Sequence, residues 1–463
     1  MESGEDAGAR NRRAVVARAR DAGLTSPDTS GPSARRAAFE AVRAAGRGRR
    51  LDLAFAEAAA PLDSRDRGFA RELAYGTIRL RGRWDHLLAR HVRGGLERLD
   101  DDVLDLLRLG AHQLRAMEVP SYAAISETVD LARSVGAGRA SGLVNGVLRS
   151  LDRAGTEGDD WPDPDADPAG WLASRGSHPR WLVERWLARW PFEEVARLVD
   201  LDNRVPTLHL VPVDGDLAAA AEAMRAAGLE VAVDELSGTL AVETSDVPGV
   251  LALHPSFVQD PAAALVMRYA AIPEGATVAD LCAAPGGKAL SAARGARYVL
   301  AADPSGPRLA LVGESARRLG LPVHLVRSRG EAPPVWDMDV VLVDAPCTGT
   351  GTLRRHPDAR WRLAPGDPAR MAAVQARILL GAADAVRPGG VLVYSTCTLE
   401  PEENRGVVDR FLSERPDFTP APPDDDELPM VEGALEVLPQ QRGTDGAWAM
   451  RMQRDETNAM SES

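Results

Sequence analysis

The sequence predicts a multidomain chain, in which an all-α domain precedes a small α+β subdomain and a final α/β domain with a Rossmann-like sheet. The first third carries apolar residues at helical spacing, as at Leu107, Ala111 and Leu114. Beyond residue 258, apolar runs bounded by turn residues alternate with helical segments, which is typical of a doubly wound sheet. A length of 463 residues leaves room for about three domains of about 150 residues each.

The helical domain is expected over residues 34–153. The spacing of a buried helix face recurs twice more within it, as i, i+4, i+7 at Ile125, Val129 and Ala132 and as i, i+3, i+7 at Val144, Val147 and Leu151. Glycine and proline interrupt the pattern at Gly94, Pro120 and Gly136. We therefore expect several helices packed against one another.

Changes in composition mark the ends of the domains. Residues 1–33 lack periodicity and are expected to form a disordered basic tail, since residues 1–50 hold eleven arginines against six acids. An acidic, proline-rich linker is predicted over residues 154–175. A second disordered tail is expected at residues 456–463.

The small α+β subdomain is predicted over residues 176–255. Its pattern begins with a helical patch at 181–201. Two short strands then follow, near 207–211 and 239–242, with a helix between them at 217–227. These elements are too few for an independent core of the usual size, so we treat them as a subdomain.

The α/β domain is predicted over residues 256–455. Apolar runs mark parallel strands at 276–281, 298–302, 322–326, 338–343 and 390–395. A final strand pair, 435–439 and 447–452, is joined by a loop that contains Asp445 and Gly446. The pattern predicts a doubly wound parallel sheet with an antiparallel hairpin at one edge.

Two cysteines follow the ends of two of these strands. Cys347 lies in the loop 344–351 and Cys397 in the segment 394–398, each after a strongly apolar run. Because ligands of open α/β sheets bind at the carboxyl ends of the strands, both thiols are expected at the active site. A single cysteine in such a place is usually an inert, buried small hydrophobe, but two such strand ends favour a reactive pair.

A glycine-rich loop, residues 281–288, follows the first parallel strand. Its backbone N–H groups suit an anion or a polar ligand, although many such loops are only tight turns. It ends in Lys288, the only lysine among 55 basic residues, where a compact point charge differs from an arginine. Asp303 follows the next strand, where an acid either accepts ribose hydroxyls or caps a helix. Together they favour a dinucleotide or S-adenosylmethionine, and the missing phosphate-loop motif argues against nucleotide triphosphate hydrolysis.

Composition argues against several other classes of protein. Three cysteines cannot form a disulfide framework. No run approaches the roughly 18 apolar residues of a membrane span, and the start lacks a secretory signal, so we expect a cytoplasmic protein without a membrane partner. Neither a Cys-x-x-Cys pair nor a histidine cluster accompanies the thiols, which argues against a metal and against a cysteine protease.

The net charge of −13 weighs only weakly against a nucleic-acid partner. Acids concentrate at residues 159–167 and 424–427, whereas arginines gather in residues 1–50 and in 354–362. Since the distribution of charge matters more than its sum, RNA binding is not excluded. The arginines of 354–362 would either contact RNA phosphates or lie in an ordinary solvated loop.

One set of motifs spans both ends of the chain. In the α/β domain they are Asp303 and residues 280–288, 344–347, 355–358, 388–390, 394–397, 401–404 and 445–446. On these motifs the chain resembles the RNA cytosine-5 methyltransferases of the Nop2/Sun family. The helical segment looks like a NusB-type RNA-binding domain, through residues 71–77, 107–113, 119–127 and 144–149. The resemblance covers about residues 34–453.

The resemblance implies a class I methyltransferase domain that uses S-adenosylmethionine, with RNA, above all 16S rRNA, as the substrate. In the family, the thiol equivalent to Cys397 adds to carbon 6 of cytosine, and the one equivalent to Cys347 helps to remove the carbon-5 proton and release the enzyme. Asp344 would hold cytosine N3, and Lys288 would stabilise charge that develops on the ring. The cofactor would be held by Cys282, Ala283, Ala284, Pro285, Gly286, Gly287, Lys288, Asp303, Ser328 and Asp344.

One position departs from the family pattern. The family usually has Asp after the third strand, near the adenine, whereas this chain has Ser328. A neutral hydrogen bond from Ser328 would replace the carboxylate, so we expect reduced cofactor affinity. Two alternatives stay open: the same chemistry on tRNA or another RNA, and a non-catalytic RNA-binding assembly factor. We expect a monomer, in which Arg149 of the helical domain and the arginine-rich N-terminal tail position the RNA through phosphate contacts.

Overall fold

The computed structural model describes residues 33–156, 159–244 and 246–456. The predicted N-terminal tail lies outside this range except for Ser33, and the predicted C-terminal tail except for Glu456. No helix within the described residues is long and apolar enough to cross a membrane.

The first domain is all-α, as predicted. Its helices are α1 (Ala34–Gly46), α2 (Leu51–Ala58), α3 (Ser64–Arg79), α4 (Arg81–Ala89), α5 (Asp101–Arg115), α6 (Ser121–Ser134) and α7 (Ser141–Ala154). Helix α3 begins where the Asp63 side chain accepts the Asp66 N–H at 2.8 Å. The buried faces form two apolar clusters, one around Phe39 and Leu73 and the other around Trp84 and Leu148.

The segment expected to be a linker contains a helix. Helix α8 (Pro168–Ser174) starts at Asp167, whose side chain accepts the Gly170 N–H at 2.9 Å. It packs with the next two helices, α9 (Arg180–Leu187) and α10 (Phe192–Asp202). Pro191 separates α9 from α10, which is why the predicted helical patch is two helices.

The small α+β subdomain is built on a four-stranded antiparallel sheet of order β2-β3-β1-β4. Its elements are β1 (Leu208–Pro212), α11 (Leu217–Ala226), β2 (Val231–Asp234), β3 (Thr239–Val242), α12 (Val247–Leu253) and β4 (Ser256–Val258). The sequence predicted β1, α11 and β3 but missed β2 and β4. Both missed strands lie at the edges of the sheet, where packing imposes a weaker apolar pattern.

A nine-stranded sheet forms the last domain. Its strands are β5 (Thr277–Asp280), β6 (Tyr298–Ala302), β7 (Val323–Val326), β8 (Met338–Asp344), β9 (Val386–Thr396), β10 (Phe418–Pro420), β11 (Met430–Val431), β12 (Ala434–Val437) and β13 (Ala447–Arg454). Strands β5 to β9 are parallel, in the order β9-β8-β5-β6-β7. Strand β13 runs antiparallel beside β9 and extends the sheet through β12 and β11, with β10 also paired to β13.

Helices cover both faces of this sheet, so the predicted α/β class is confirmed. They are α13 (Pro261–Ala270), α14 (Gly287–Ala292), α15 (Gly306–Leu319), α16 (Ala359–Arg362), α17 (Asp367–Ala383), α18 (Arg405–Glu414) and α19 (Pro439–Arg442). Alternate residues of β8 face opposite layers: Val341 packs with Leu379, whereas Leu342 packs with Ala289. Burial on both faces explains the continuous apolar runs in the sequence.

The order of the parallel strands reverses between β5 and β8. Chain order runs outward from β5 through β6 to β7 on one side, and through β8 to β9 on the other. Such a switch point leaves a crevice at the carboxyl ends of the strands. Asp280 ends β5 and Asp344 ends β8, so both carboxylates lie at this crevice.

The helical domain docks onto the segment that follows the Cys347 loop. The Trp361 indole N–H donates to the Ile78 carbonyl at 2.8 Å, and the Leu51 N–H donates to Asp358 Oδ2 at 3.3 Å. Arg360 is fully buried between the domains and donates to the Ser177 carbonyl at 3.0 Å. The first domain is therefore packed against the α/β domain and not merely tethered to it.

Candidate active site

The two predicted thiols meet at the carboxyl end of the sheet. Strands β8 and β9 are neighbours in parallel register, with Asp344 opposite Ser395. The loops that follow these strands bring Cys347 Sγ within 3.4 Å of Cys397 Sγ. Both side chains are partly buried, which leaves each thiol reachable from the crevice. Two cysteines 50 positions apart in sequence thus form one pair.

The Cys347 thiol stays protonated more readily than an ordinary cysteine. Its hydrogen bond with Cys397 and its burial raise its pKa well above the usual value, and the nearby Glu403 adds to the effect. Gly349, at φ 68°, turns the chain after this thiol, and a Cβ there would lie 3.9 Å from Cys397 Sγ.

Lys288 and Asp344 form an ion pair beside the thiols, with Nζ 2.8 Å from Oδ2. Ser395 donates its hydroxyl to the other oxygen, Asp344 Oδ1, at 2.9 Å. Burial lowers the pKa of Lys288, but the charge of Asp344 and its hydrogen bond outweigh burial, so the net shift is upward. The only lysine of the chain is therefore held as a cation against the crevice.

Asp280 is a second carboxyl at the switch point, and the sequence analysis did not select it as a site residue. Burial, followed by the charge of Asp344, raises its pKa to about 7. Its Oδ1 accepts the Cys282 N–H at 3.3 Å, while Oδ2 is buried without a hydrogen-bond partner among the described residues. Its place at the end of β5, before the glycine-rich loop, was the available signal.

The glycine-rich loop runs directly from β5 into α14. The Ala283 N–H donates to the Ala302 carbonyl at 2.9 Å, which ties the loop to the end of β6. Gly286 has φ 119°, a conformation that side chains rarely adopt, and a Cβ on Gly287 would lie 3.3 Å from Gln259 Nε2. The glycines thus leave the backbone N–H groups open at the start of a helix.

The other predicted cofactor residues, Asp303, Cys282 and Ser328, differ in their burial and in their hydrogen-bond partners. Asp303 is buried at the end of β6, where Oδ1 accepts the Ser305 N–H at 2.8 Å and Oδ2 lies 3.5 Å from Arg308. Cys282 is partly buried, and burial together with the Asp280 charge raises its pKa, which keeps that thiol neutral. Ser328 donates within its own loop, to the Arg329 carbonyl at 3.2 Å and the Ala332 carbonyl at 3.3 Å.

The glycine-rich loop 281–288, together with Asp280 and Asp303, forms a cradle whose shape and polar groups fit an adenosine-type cofactor. The cis peptide between Ala284 and Pro285 belongs to the same loop. Gly286 and Gly287 carry no side chain, Asp280 keeps a buried carboxyl oxygen without a partner among the described residues, and Asp303 follows the next strand. Within the described residues, no group of three or more His, Cys, Asp or Glu side chains could hold a metal ion.

A buried polar network lies behind the thiols, and the sequence analysis assigned it no role. Asn404 accepts the Thr396 hydroxyl at 2.5 Å and donates to the Thr398 carbonyl at 3.0 Å, on both sides of Cys397. Glu403 contacts both thiol-bearing loops. The motif 401–404 carried only a family likeness in the sequence, because its partners are distant along the chain.

The arginines of 354–362 do not match either alternative offered for them. Arg355 bridges two carboxylates, donating to Asp260 at 2.5 Å and to Asp445 at 2.6 Å. Arg354 donates to the Gly443 carbonyl at 3.0 Å, and Arg360 is fully buried. These side chains join structural elements, so the expectation of phosphate contacts or a solvated loop is wrong for these three arginines.

An open groove of about 790 Å³ runs between α6 and α7 of the helical domain. Arg133, Arg149 and Arg153 line it, and all three are exposed. Tyr122, at 78% exposure, stands at the start of α6. Asp130 and Asp152 also line the groove, so its charge is mixed but net positive. The predicted contact residue Arg149 therefore lies on an accessible surface.

Comparisons with known proteins agree with this arrangement. Residues 268–453 match the family model described as 16S rRNA methyltransferase RsmB/F, and residues 32–153 match the NusB family. A probable ribosomal RNA small subunit methyltransferase B of Bacillus subtilis is 35% identical over 85% of this chain and 92% of its own length. A putative methyltransferase of Mycobacterium tuberculosis is 37% identical over 91% of this chain and 96% of its own length.

Solved structures show the same fold. The crystal structure of PH0851 superposes with a TM-score of 0.76 over 93% of this chain and all of that one, at 23% identity. NSun6 from Pyrococcus horikoshii, solved with SFG, covers 60% of this chain and 98% of its own, with a TM-score of 0.51 at 19% identity. The full-length similarity to methyltransferase B establishes the class: this chain belongs to the RsmB/F family of rRNA methyltransferases, with a NusB-family domain at its N-terminus.

Proposed function

We propose that the protein methylates carbon 5 of a cytosine in 16S rRNA with S-adenosylmethionine as the methyl donor. One observation carries the proposal: two thiols 3.4 Å apart share a crevice with the Lys288–Asp344 ion pair. A single thiol would suffice for attack on a base. A second thiol at the same place suits a reaction in which an adduct must also be resolved.

The first step would be addition of the Cys397 sulfur to carbon 6 of the ring. Carbon 5 of cytosine is a poor nucleophile, and this addition makes it electron-rich. Cys397 attacks as a thiolate after its proton has passed to solvent, and the sulfur–carbon bond forms while the electrons of the carbon 5–carbon 6 double bond move into the ring. Asp344 would bind the ring at N3 and Lys288 would stabilise the charge, since their ion pair lies beside the thiols.

S-adenosylmethionine, when bound, supplies the electrophilic methyl group that the activated carbon 5 accepts. We assign its cradle to the loop from Cys282 to Gly287, to Asp303, and to the edge shared with Lys288 and Asp344. The NSun6 structure of the same fold was solved with SFG, an analogue of this donor, which agrees with the choice of donor. Ser328 donates to its own loop, so we give it a minor part.

Cys347 would then resolve the adduct. Cys347 first loses its own proton to solvent; as a thiolate it then takes the carbon-5 proton, an S–H bond forms, and the carbon 5–carbon 6 double bond returns. The bond between carbon 6 and Cys397 breaks, and its electron pair stays on that sulfur. The raised pKa of Cys347 suits this part, because a thiol of higher pKa gives a stronger base.

The helical domain would hold the RNA. The groove between α6 and α7 offers Arg149 and Arg153 for phosphates and the exposed ring of Tyr122 for stacking on a base. Because the target base must leave any stack to reach the crevice, a second contact that fixes the surrounding RNA has a clear physical use.

The proposal is tested by locating the methyl group. Bisulfite sequencing of rRNA and tRNA should show one 16S position that is protected in the parent strain and converted in a deletion strain. Purified protein should then transfer tritiated methyl from S-adenosylmethionine to 16S rRNA from that strain. Protection lost in a tRNA instead would reassign the substrate, and no lost site in any RNA would contradict the proposed chemistry.

A further inference from the structure

Glu403 occupies an unusual place behind the two thiols. Its side chain is fully buried, and both of its carboxylate oxygens are engaged. Oε2 accepts the Thr348 N–H and the Gln375 side-chain amide, each at 2.9 Å. Oε1 accepts the Thr348 hydroxyl and, at 3.2 Å, the Thr398 hydroxyl. A buried carboxylate with this many donors is costly to assemble unless its position matters.

The donors are the neighbours of the two cysteines. Thr348 directly follows Cys347, and Thr398 directly follows Cys397. The two threonine hydroxyls also lie 2.8 Å apart. One carboxylate therefore links the two loops that carry the thiols, immediately beyond each sulfur.

The same contacts hold Cys347 from its other side. Gln375, which donates to Glu403, also donates to the Pro346 carbonyl at 2.9 Å. The residues before and after Cys347 are thus tied to one buried pair, Glu403 and Gln375. The Cys397 loop has a separate support in Asn404, which contacts Thr396 and Thr398. Loss of Glu403 should consequently disturb Cys347 more than Cys397.

We propose that Glu403 is a positioning residue for Cys347, holding its thiol against Cys397 for the release of the methylated RNA. The inference rests on the proposed function, in which Cys347 resolves the adduct. The local charges agree with it: Glu403 is among the causes that raise the pKa of Cys347, after the hydrogen bond to Cys397 and burial. Lys288, the nearest cation of the site, is paired with Asp344.

The first test separates the two halves of the reaction with Glu403→Gln. In single turnovers we expect adduct formation within about threefold of the parent rate and release slowed by about tenfold or more. The adduct should then accumulate as a protease-sensitive RNA band on a denaturing gel. Glu402→Gln is the matched control, since the Glu402 side chain is exposed and pairs with Arg185 instead of a thiol-bearing loop. Equal losses in both steps, or none, would overturn the proposal.

The second test needs no RNA and no cofactor. Trypsin separates the three cysteines onto the peptides 269–288, 330–354 and 378–405, so alkylation by iodoacetamide can be followed at each one. Glu403→Gln removes a negative charge and hydrogen-bond acceptors beside Cys347. We expect the alkylation rate of Cys347 to rise about threefold or more at fixed pH, and that of Cys282 to stay unchanged.

This second result is independent of the methyl transfer. An unchanged Cys347 rate would contradict the positioning role even if methylation is as proposed. Conversely, absence of any adduct in the parent protein and in Cys347→Ala would contradict the proposed function. The alkylation rate of Cys347 in Glu403→Gln would still report on the positioning role. Should Glu403→Gln fold poorly, Thr348→Val removes one donor only, and it should shift release in the same direction by a smaller factor.

Discussion

The thiol crevice and the groove of the helical domain differ in how their side chains are held: by buried hydrogen bonds in the crevice, and with little support in the exposed groove. At the crevice, the Cys347 loop is held by the buried Glu403 carboxylate, which accepts the Thr348 N–H, and the Cys397 loop by Asn404, which donates to the Thr398 carbonyl. In the groove, Arg149 and Tyr122 are exposed, and Arg149 is held by a side chain one helical turn away, through its 3.0 Å hydrogen bond to Asn145 Oδ1. The crevice therefore holds its reactive atoms in fixed positions, whereas the groove presents charged side chains on an exposed surface.

The difference follows from what each region must do. Bond formation at a sulfur requires geometry held to a fraction of an ångström, and buried networks supply such rigidity. Phosphate contacts tolerate movement, because charge attraction falls slowly with distance and is set mostly by the number of contacts. Mutations in the crevice should therefore change steps of the reaction, and mutations in the groove should change RNA affinity alone.

The largest effect is expected for Cys397→Ala. The proposed mechanism gives the attack on carbon 6 to Cys397 and proton removal to Cys347, 3.4 Å away, so methyl transfer and the covalent RNA adduct should both vanish, a loss of at least about 10⁴-fold. RNA affinity in a filter-binding assay should stay at the parent value. Robust adduct formation by this variant would reverse the roles of the two cysteines.

Cys347→Ala should instead trap the reaction. Cys397 can still add to the base, but the carbon-5 proton has no thiol to receive it, so we expect release to slow by about 100-fold or more. The trapped species should appear as an RNA band shift on a denaturing gel and carry the tritiated methyl group. Release at the parent rate would show that another group, such as a water molecule, takes the proton.

Acid should affect the two halves of the molecule in opposite directions. Burial, aided by nearby arginines, lowers the pKa of His112 to about 3 and that of His178 to about 4. Both stay neutral when folded, so their stabilisation is complete above the unfolded pKa of about 6.5 and is lost as pH falls towards 4. The cost at pH 5 is about 2 kcal/mol for each histidine.

The pKa of Asp280 is about 7 in the folded protein, which is above its unfolded value. Acidification therefore protonates this buried carboxylate and relieves the cost of burying its charge. Hydrogen exchange at pH 7.5 and at pH 5 should then show amides of α5 losing protection before those of β5. His178→Gln should flatten the pH dependence of the unfolding free energy as measured with urea. A loss of protection that begins in β5 would contradict these assignments.

A smaller effect is expected in the groove. Arg149→Gln with Arg153→Gln should weaken RNA binding by about tenfold at moderate salt, and lower the slope of log affinity against log salt by about 1 to 2. The matched control replaces Arg65 and Arg93, two exposed arginines of the same domain that do not line the groove. Equal losses in both double variants would show that net charge matters and the groove does not.

The sequence predicted the parts of this protein whose causes are local. The ends of β8 and β9 could be predicted from the sequence because both strands are buried on both faces. Their apolar runs stop near Asp344 and Thr396. The pairing of Cys347 with Cys397 followed from the rule that ligands bind at the carboxyl ends of such strands. The family likeness supplied the remaining assignment of roles, which the geometry can accommodate.

Long-range contacts could not be read from the same sequence. The arginines of 354–362 looked like a basic patch, but Arg355 is neutralised by Asp260 and Asp445, about 90 positions away on either side. Likewise, Arg360 joins segments near Ser177 and Asp202. A charged residue in a sequence shows that a partner is needed, and only the fold decides whether that partner is another residue or RNA.

The smallest effect concerns the cofactor edge at β7. Ser328 gives its hydroxyl to its own loop, at the position where the family resemblance implies an Asp near the adenine. Ser328→Asp should therefore tighten binding of S-adenosylmethionine by about three- to tenfold, since a hydrogen bond to a charged group adds about 1 kcal/mol. Calorimetry without RNA would measure it, with Asp303→Asn as the opposite control that weakens binding. Unchanged affinity in Ser328→Asp would place the adenine elsewhere, and RNA affinity should not change in either variant, because the groove lies in another domain.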